Sequence, residues 1–186
     1  MITASQANLL FSILTVIGQA IIIATLFVIV VSWKRKKSHK MLVFLDKHGI
    51  LFAFVVALVA MTGSLTYSEI IGYEPCKLCW FQRILMYPQV ALFGLALLKK
   101  DRSIRDYSIL LSSLGVLIAT YHYALQMGVA PVTSCSAVGS SVSCSQIFTM
   151  QFGYITIPMM SLTAFSMILL FMLGLRLHDN LKKSSK

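Results

Sequence analysis

Five long apolar stretches dominate the sequence and limit what it can fold into. They cover approximately residues 8–32, 50–70, 80–98, 107–127 and 153–175. A helix needs about 20 predominantly apolar residues to cross the hydrocarbon core of a bilayer. Hydrophobic residues make up 58% of the chain and charged residues 12%, whereas soluble domains average about 45–50% and 25%. The sequence therefore predicts an all-α membrane protein with five transmembrane helices and little room for a soluble domain.

The basic residues indicate the orientation of these helices. Fourteen of the sixteen Lys and Arg residues fall in three segments, 34–47, 99–105 and 176–186. Cytoplasmic flanks of membrane proteins carry the Lys and Arg excess, so we expect these segments inside, and the N-terminus and the two remaining connections outside. The net charge of +10 is thus explained by membrane orientation, and we expect no nucleic-acid partner.

The short connections between spans predict helices that run antiparallel to their neighbours. We expect residues 50–176 to form an antiparallel four-helix transmembrane bundle and residues 177–186 to form a basic cytoplasmic tail. Residues 1–49 supply one extra N-terminal transmembrane helix and a basic cytoplasmic loop. No basic region precedes this helix, and a Lys/Arg cluster follows it at residues 34–37, so we expect it to be retained rather than removed as a signal peptide.

All four cysteines fall in the two connections that are predicted to lie outside. Cys76 and Cys79 are in the first, and Cys135 and Cys144 are in the second. Disulfides persist in oxidising compartments, so this topology puts every thiol where pairing is possible. Two structural disulfides that stiffen the loops are one interpretation of this arrangement, and exchanging redox pairs are another.

Cys76 and Cys79 form a Cys-x-x-Cys motif, whose disulfide opens readily and whose thiolates often have a lowered pKa. The apolar run that begins at Trp80 puts Cys79 in the first turn of a helix. Exposed N–H groups and the helix dipole favour a thiolate at that position. On this basis we expect Cys79 to be the more acidic thiol of the pair.

Two polar residues are expected at the same membrane depth as this motif. Arg83 lies one helical turn beyond Cys79, and His122 lies near the outer end of the fourth span. Together they could form a pocket for a polar headgroup beside the thiols. The alternatives are an arginine that extends to the lipid headgroups and a histidine that is hydrogen-bonded within the bundle.

Eight residues, 136–143, separate Cys135 from Cys144 in a loop rich in Ser, Val and Gly. A disulfide between them would be exposed and poorly supported by packing. Labile disulfides of this kind take part in thiol–disulfide exchange. Because loops of this length are often functional or mobile, we expect residues 128–151 to be mobile and able to bring the cysteines to a partner.

Three segments, in this order along the chain, resemble the DsbB family, and its Gram-positive BdbC-like members in particular. They are EPCKLCWFQR at residues 74–83, YHYALQ at residues 121–126 and IPMMSL at residues 157–162. The resemblance covers approximately residues 50–176. Two features depart from the family pattern: the segment before residue 50 is additional, and the second cysteine loop is short.

The resemblance implies a protein dithiol:quinone oxidoreductase of the bacterial inner membrane. It implies that a soluble, DsbA-like thioredoxin-fold oxidase attacks a Cys135–Cys144 disulfide, with Cys135 forming the mixed disulfide. Cys144 and Cys76 then exchange electrons between the loops. Cys79 faces a ubiquinone or menaquinone near Arg83 and His122, and disulfide bond formation is coupled to membrane electron transport.

Three other interpretations fit parts of the pattern. A vitamin-K-epoxide-reductase-like enzyme also couples thiols to a quinone, but there the loop cysteines precede the helical Cys-x-x-Cys. A structural membrane subunit could hold zinc through four cysteines, although the second pair lacks the usual spacing. A transporter is disfavoured because no acidic residue lies in the middle of a span.

Overall fold

The protein is an all-helical bundle. The computed structural model describes residues 3–35, 40–129 and 143–184. Within these residues it contains five helices that are long and apolar enough to cross a membrane, in agreement with the predicted number. The helices are α1 (Ala4–Arg35), α2 (Lys40–Leu65, extended by a π-helical turn over Thr66–Ile70), α3 (Lys77–Lys99), α4 (Ile104–Gln126) and α5 (Ile157–Ser184).

Helices α2 to α5 form the predicted four-helix bundle, and α1 is added at its side. Each of these four helices contacts the next, and α5 returns to contact α2. Helix α5 also contacts α1 and α3, so it is the central element. Its buried face carries Phe165, Ile168, Met172 and Leu175, whereas α1 exposes large apolar side chains along the face that is directed away from the bundle.

Two helices extend beyond the apolar stretches of the sequence. Helix α2 begins at Lys40, whereas the apolar span begins near residue 50, so the domain boundary proposed at residue 49 falls inside a helix. Helix α5 continues to Ser184, so most of the predicted basic tail is helical. Apolar composition marks only the membrane-crossing part of a helix, and a basic extension into water can keep the same backbone hydrogen bonding.

Glycines allow the helices to approach α5 closely. A Cβ atom added at Gly115 of α4 would overlap the ring of Phe165, and one added at Gly174 of α5 would overlap Leu45 of α2. Lipid tails are as apolar as the side chains they replace, so close packing of this kind is a main source of helix association in a bilayer.

A buried polar cluster joins α3 to α4. The Oε1 atom of Gln89 accepts hydrogen bonds from Ser108 Oγ at 2.8 Å and Ser112 Oγ at 3.1 Å. Its Nε2 atom donates to the carbonyl of Leu85 at 3.1 Å. Polar groups in the hydrocarbon region need such internal partners, and this cluster keeps the two helices in register.

Ion pairs connect the helices at the end of the bundle that is predicted to be cytoplasmic. Arg102, in the turn between α3 and α4, pairs with Asp46 of α2 and Asp179 of α5. Arg105 of α4 also pairs with Asp179, and the Nδ1 atom of His178 lies 3.3 Å from Asp46. This inner-end network therefore links α2, α4 and α5 through two acids and three bases that are far apart in the sequence.

We expect Gly115→Ala to destabilise the bundle, because the added methyl group must displace the Phe165 ring. Overpacking of a buried interface typically costs about 1–3 kcal/mol. The matched control is Gly94→Ala in α3, where the nearest atom to the new methyl group is Phe54 Cε2 at 3.6 Å. Unfolding in detergent, followed by circular dichroism, should show a loss only in the first variant. Equal stability of both variants would contradict the packing argument.

Candidate redox site

The Cys-x-x-Cys motif lies at the beginning of α3. Cys76 is the residue immediately before the helix, and Cys79 follows in the first turn, as predicted. Both are free thiols, and their sulfur atoms lie 3.3 Å apart. The pair is therefore close enough to form a disulfide with little movement of the backbone.

His122 of α4 connects this motif to the second cysteine loop. Its Nδ1 atom accepts a hydrogen bond from Gln82 Nε2 at 2.9 Å, which leaves the ring proton on Nε2. That Nε2 atom lies 3.1 Å from the carbonyl oxygen of Cys144 and 3.6 Å from the sulfur of Cys76. His122 is only 2% exposed, so a single buried imidazole contacts both cysteine segments.

Cys144 differs from its predicted environment. It is disulfide-bonded, but it is only 1% exposed, so the expectation of an exposed disulfide is wrong at this residue. Cys144 packs in a small cluster with Cys76 and Leu125. The loop is held there because the Cys144 carbonyl contacts His122 and the Gln126 side chain donates to the carbonyl of Gln146 at 2.9 Å.

The other predicted features of the second loop fall largely outside the described residues. Cys135 is within residues 130–142, so its role and its predicted pairing with Cys144 remain predictions, as does the mobility of that part of the loop. The described part, from residue 143 onward, contains a tight turn in which Gln151 and Ile155 exchange two backbone hydrogen bonds of 2.9 Å each.

The electrostatic environment favours a thiolate at Cys76. Hydrogen bonding with the Cys79 thiol lowers the pKa of the Cys76 thiol, burial acts in the opposite direction, and His122 lowers it further, so that the pKa falls well below its usual value. The sequence analysis expected the acidic thiol at Cys79. The difference arises because Cys76 is hydrogen-bonded with the Cys79 thiol and with His122, contacts that the helix dipole argument does not include.

Arg83 is held against α2 rather than extended to the membrane surface. Its Nε atom donates to Ser64 Oγ at 3.0 Å, and its Nη2 atom donates to the Ser64 carbonyl at 3.1 Å. The hydroxyl of Tyr87 also donates to Ser64 Oγ, at 3.1 Å. The guanidinium carbon lies 5.3 Å from the centre of the Trp80 ring, which adds a cation–π contact.

A largely apolar cavity of about 330 Å³ begins beside these residues. Cys79, Gln82, Arg83 and His122 line it together, and its other walls come mainly from α1, α2 and α5, with further residues from α3 and both cysteine loops. The predicted headgroup pair, Arg83 and His122, thus lines one cavity together with Cys79. Cavities of this size, with a few polar groups at one end, are typical of sites for small organic ligands.

The two thiols of the motif differ in their access to the large cavity. Cys79 lines the large cavity, whereas Cys76 does not. Both cysteines border a second gap of about 20 Å³, which is also lined by Ser143 and Gln146 of the second loop. Both thiols therefore lie beside the loop that contains Cys144, and Cys79 also opens onto the apolar cavity.

Four aromatic rings cover the outer end of the large cavity. Phe11 and Tyr67 lie 5.6 Å apart between ring centres, Tyr67 and Tyr73 lie 5.9 Å apart, and Tyr73 and Phe148 lie 4.8 Å apart. These rings come from α1, α2 and both cysteine loops, and all four line the cavity. We call this arrangement the aromatic roof.

Sequence analysis missed Gln82 and Ser64 as members of the site. Gln82 is 7% exposed and orients His122, and Ser64 binds Arg83. The sequence contained an indication of Gln82, because a buried amide one residue before Arg83 on the same helix needs a hydrogen-bond partner. No local signal identifies Ser64, because it becomes part of the site only through the packing of α2 against α3.

The site also contains one group of possible metal ligands. The sulfur atoms of Cys76 and Cys79 and a ring nitrogen of His122 all lie within 4.8 Å of one another. Because Cys144 is disulfide-bonded, its sulfur is not a thiolate in this state. The four-cysteine zinc site considered from the sequence is therefore incompatible with the arrangement that the structure describes.

Comparisons with known proteins are consistent with this geometry. A family model described as disulfide bond formation protein DsbB matches residues 46–175. The probable disulfide formation protein of Oceanobacillus iheyensis is 44% identical over 119 residues, which cover 64% of this chain and 82% of that protein. No solved structure matches the chain.

Two proteins of Bacillus subtilis strain 168 are also similar. Disulfide bond formation protein C is 42% identical over 129 residues, which cover 68% of this chain and 93% of the relative. An SPbeta prophage-derived disulfide bond formation protein B is 39% identical over 137 residues, which cover 74% and 90% of the two chains. These relatives are matched over most of their own length.

We expect His122→Leu to raise the pKa of Cys76, because the substitution removes a donor to the thiolate. A hydrogen bond to a charged group contributes about 1.5–3 kcal/mol, which corresponds to about one to two pH units. The measurement is the pH dependence of iodoacetamide modification of the reduced protein, with the Cys76 peptide quantified by mass spectrometry. His48→Leu, at the inner end of α2, is the control, and the same midpoint in both variants would exclude a role for His122.

Proposed function

The chain belongs to the DsbB family of disulfide bond formation proteins, and we propose that it acts as a membrane dithiol:quinone oxidoreductase. In this role it reoxidises a soluble, extracytoplasmic thioredoxin-fold oxidase and passes the electrons to a membrane quinone. One observation carries the proposal: His122 contacts both Cys76 and Cys144, while Cys79 opens onto the apolar cavity. The two cysteine segments and a ligand cavity thereby form one continuous site.

The residues of the cavity fit a quinone. The quinone ring is flat and apolar on its faces and carries two carbonyl oxygens, and an isoprenoid tail makes the rest of the molecule apolar. Arg83 could donate a hydrogen bond to one of the oxygens, His122 lines the cavity beside it, and the walls of α2 and α5 could hold the tail. A bound quinone would supply the oxidising power of the site by accepting two electrons and two protons.

The proposed exchange begins at the second loop. The reduced partner attacks a Cys135–Cys144 disulfide, and Cys135 forms the mixed disulfide. Cys144 is released as a thiolate beside Cys76, to which it is already packed. The donor at His122 Nε2 and the Gln126–Gln146 hydrogen bond hold this part of the loop against the motif during the exchange.

The second half of the reaction takes place between Cys76 and Cys79. The second thiol of the partner would first resolve the mixed disulfide, which leaves the partner oxidised and Cys135 and Cys144 as thiols. Cys144 would then attack Cys76 of the Cys76–Cys79 disulfide with Cys79 as the leaving thiolate. Cys135 would attack the resulting Cys76–Cys144 bond to restore the Cys135–Cys144 disulfide. The electrons leave when the two thiols of the motif form their disulfide again. This step releases two electrons and two protons, the number that one quinone takes up. Cys76, favoured as a thiolate, is 3.3 Å from the Cys79 sulfur and is positioned to form the S–S bond, while Cys79 faces the acceptor.

The five membrane-crossing helices make this a multi-pass membrane protein. We assign it to the bacterial cytoplasmic membrane, with the N-terminus and both cysteine loops outside and the C-terminus in the cytoplasm. The support comes from the basic segments, which flank one end of the bundle while the thiols lie at the other. This orientation gives the partner oxidase access to the second loop and gives the quinone access from the bilayer.

A thiol-liganded metal site is the second candidate, because Cys76, Cys79 and His122 bring three suitable atoms together. Three protein ligands with one open position are typical of catalytic zinc. Metal analysis of the purified protein distinguishes the two functions. About one zinc per chain, lost in a Cys76→Ser variant, would favour the metal site over the redox reaction.

The function is tested with the purified full-length protein in detergent, a reduced thioredoxin-fold oxidase, and either a ubiquinone or a menaquinone analogue. We expect quinone reduction that is lost in Cys135→Ala, because the entry disulfide is absent, and in Cys79→Ser, because no thiol faces the cavity. Absence of turnover with both quinones, in a folded protein with intact cysteines, would exclude the proposal. Turnover that survives Cys79→Ser would show that Cys79 is not the residue that delivers electrons.

We expect Arg83→Ala to weaken quinone use more than thiol exchange. Loss of a charged donor should raise the KM for quinone by about tenfold or more, while the single exchange between the oxidised protein and its partner continues. Ser64→Ala is the comparison, because it removes the hydroxyl that accepts from Arg83 Nε but keeps the guanidinium and its bond to the Ser64 carbonyl. Equal effects of both substitutions on KM and on stability would make Arg83 a helix clamp rather than a ligand-binding residue.

A further inference from the structure

Helix α1 lies outside the residues that the family model matches, which begin at residue 46. In the structure it is not separate from the bundle, because it packs along α5 and α2. These are the two core helices that also supply most of the apolar wall of the large cavity. The additional helix therefore lies against the same side of the bundle as the candidate ligand site.

One face of α1 forms part of the cavity itself. The cavity is lined on this side by Phe11, Leu14, Thr15, Ile17, Gly18 and Ile21. Helix α5 lines the cavity between Ile157 and Met167, a distance of about 15 Å along a helix. The cavity thus extends from the redox residues toward the middle of the membrane, with α1 along its length.

The contact between α1 and the bundle is close. A Cβ atom added at Gly18 would lie 2.9 Å from Met167 Sδ and 3.0 Å from Thr163 Cγ2, both in α5. The Phe11 ring lies against Gly63 of α2, where an added Cβ would meet Cε1 at 3.0 Å. Because the backbone of α1 approaches α5 this closely, a larger side chain on this face of α1 will change the space beside α5.

One polar contact and one aromatic contact hold α1 against the rest of the protein. The Tyr154 hydroxyl, in the turn before α5, donates to Gln19 Oε1 at 2.8 Å, and Phe11 belongs to the aromatic roof. The Thr15 hydroxyl is used within the helix, where it donates to the Phe11 carbonyl at 2.7 Å. The wall that α1 presents to the cavity is therefore apolar, which suits a quinone ring face or an isoprenoid chain.

We propose that α1 forms the peripheral wall of the quinone site, where it packs against α2 and α5, and that Thr15 determines the space available to the bound quinone. This inference rests on the proposed quinone function. The additional helix then has a role in ligand selection. The width of the cavity beside Thr15 limits which ring substituents fit and which course the isoprenoid tail can take. Thr15 is 6% exposed, so a larger side chain there has little other space to occupy.

The test compares Thr15→Phe with Val16→Phe, both in the full-length protein. Val16 is the next residue on α1, is 43% exposed and is absent from the cavity wall, so it receives the same new ring on the lipid-facing side. Binding of a decyl-tailed ubiquinone analogue and of a tail-less naphthoquinone is measured by quenching of tryptophan fluorescence. Thiol exchange with the partner in a single turnover is measured in parallel.

We expect Thr15→Phe to raise the dissociation constant of the tailed analogue by about tenfold or more without slowing thiol exchange, and Val16→Phe to change neither. If the wild-type protein binds and reduces no quinone, the proposed function itself fails. If the wild-type protein binds quinone and the two variants bind equally well, only the role of α1 fails, and that part of the cavity holds lipid.

A second measurement covers the case in which Thr15→Phe does not fold. The wild-type protein is photolabelled with an azido-quinone and digested, and the labelled peptides are identified. Label within residues 11–21 supports the wall assigned to α1. Label confined to α2–α5 overturns it.

Discussion

Inside a bilayer a polar group has no water to bind, so each one must find its partner in the protein. This constraint explains how the functional end of the molecule is organised. Gln82, His122 and the Cys144 carbonyl form one chain of hydrogen bonds, and Arg83 with Tyr87 and Ser64 forms another. Each chain crosses between elements that are distant in the sequence. The side chains proposed to act on a ligand are therefore oriented by the same bonds that satisfy them.

The position of α5 makes this arrangement possible. It contacts every other helix, and close approach at Gly115 and Gly174 allows α4 and α2 to pack tightly around it. With the core of the bundle filled in this way, the remaining space lies between α5, α2 and α1, beside the first turn of α3.

The broad architecture was predictable because it depends on patterns along the chain. Apolar length identified the five spans, and the positions of Arg83 and His122 indicated a common depth. In the structure both residues line one cavity together with Cys79. The burial of Cys144 was not predictable, because it depends on a contact between its carbonyl and a histidine in another helix. The same holds for the contacts of α1 with the cavity. Composition shows that α1 is apolar, but not which helices it meets.

The inner-end network of Arg102, Arg105, Asp46 and Asp179 has a mechanical consequence. It connects α2, α4 and α5 at the end of the bundle opposite the thiols. A helix of 23 residues, such as α3 or α4, is about 35 Å long. If the tied end acts as the pivot, a tilt of one degree moves the far tip by about 0.6 Å at that length. A rotation of a few degrees therefore opens or narrows the far end by the width of an atom, while the tied end keeps its geometry.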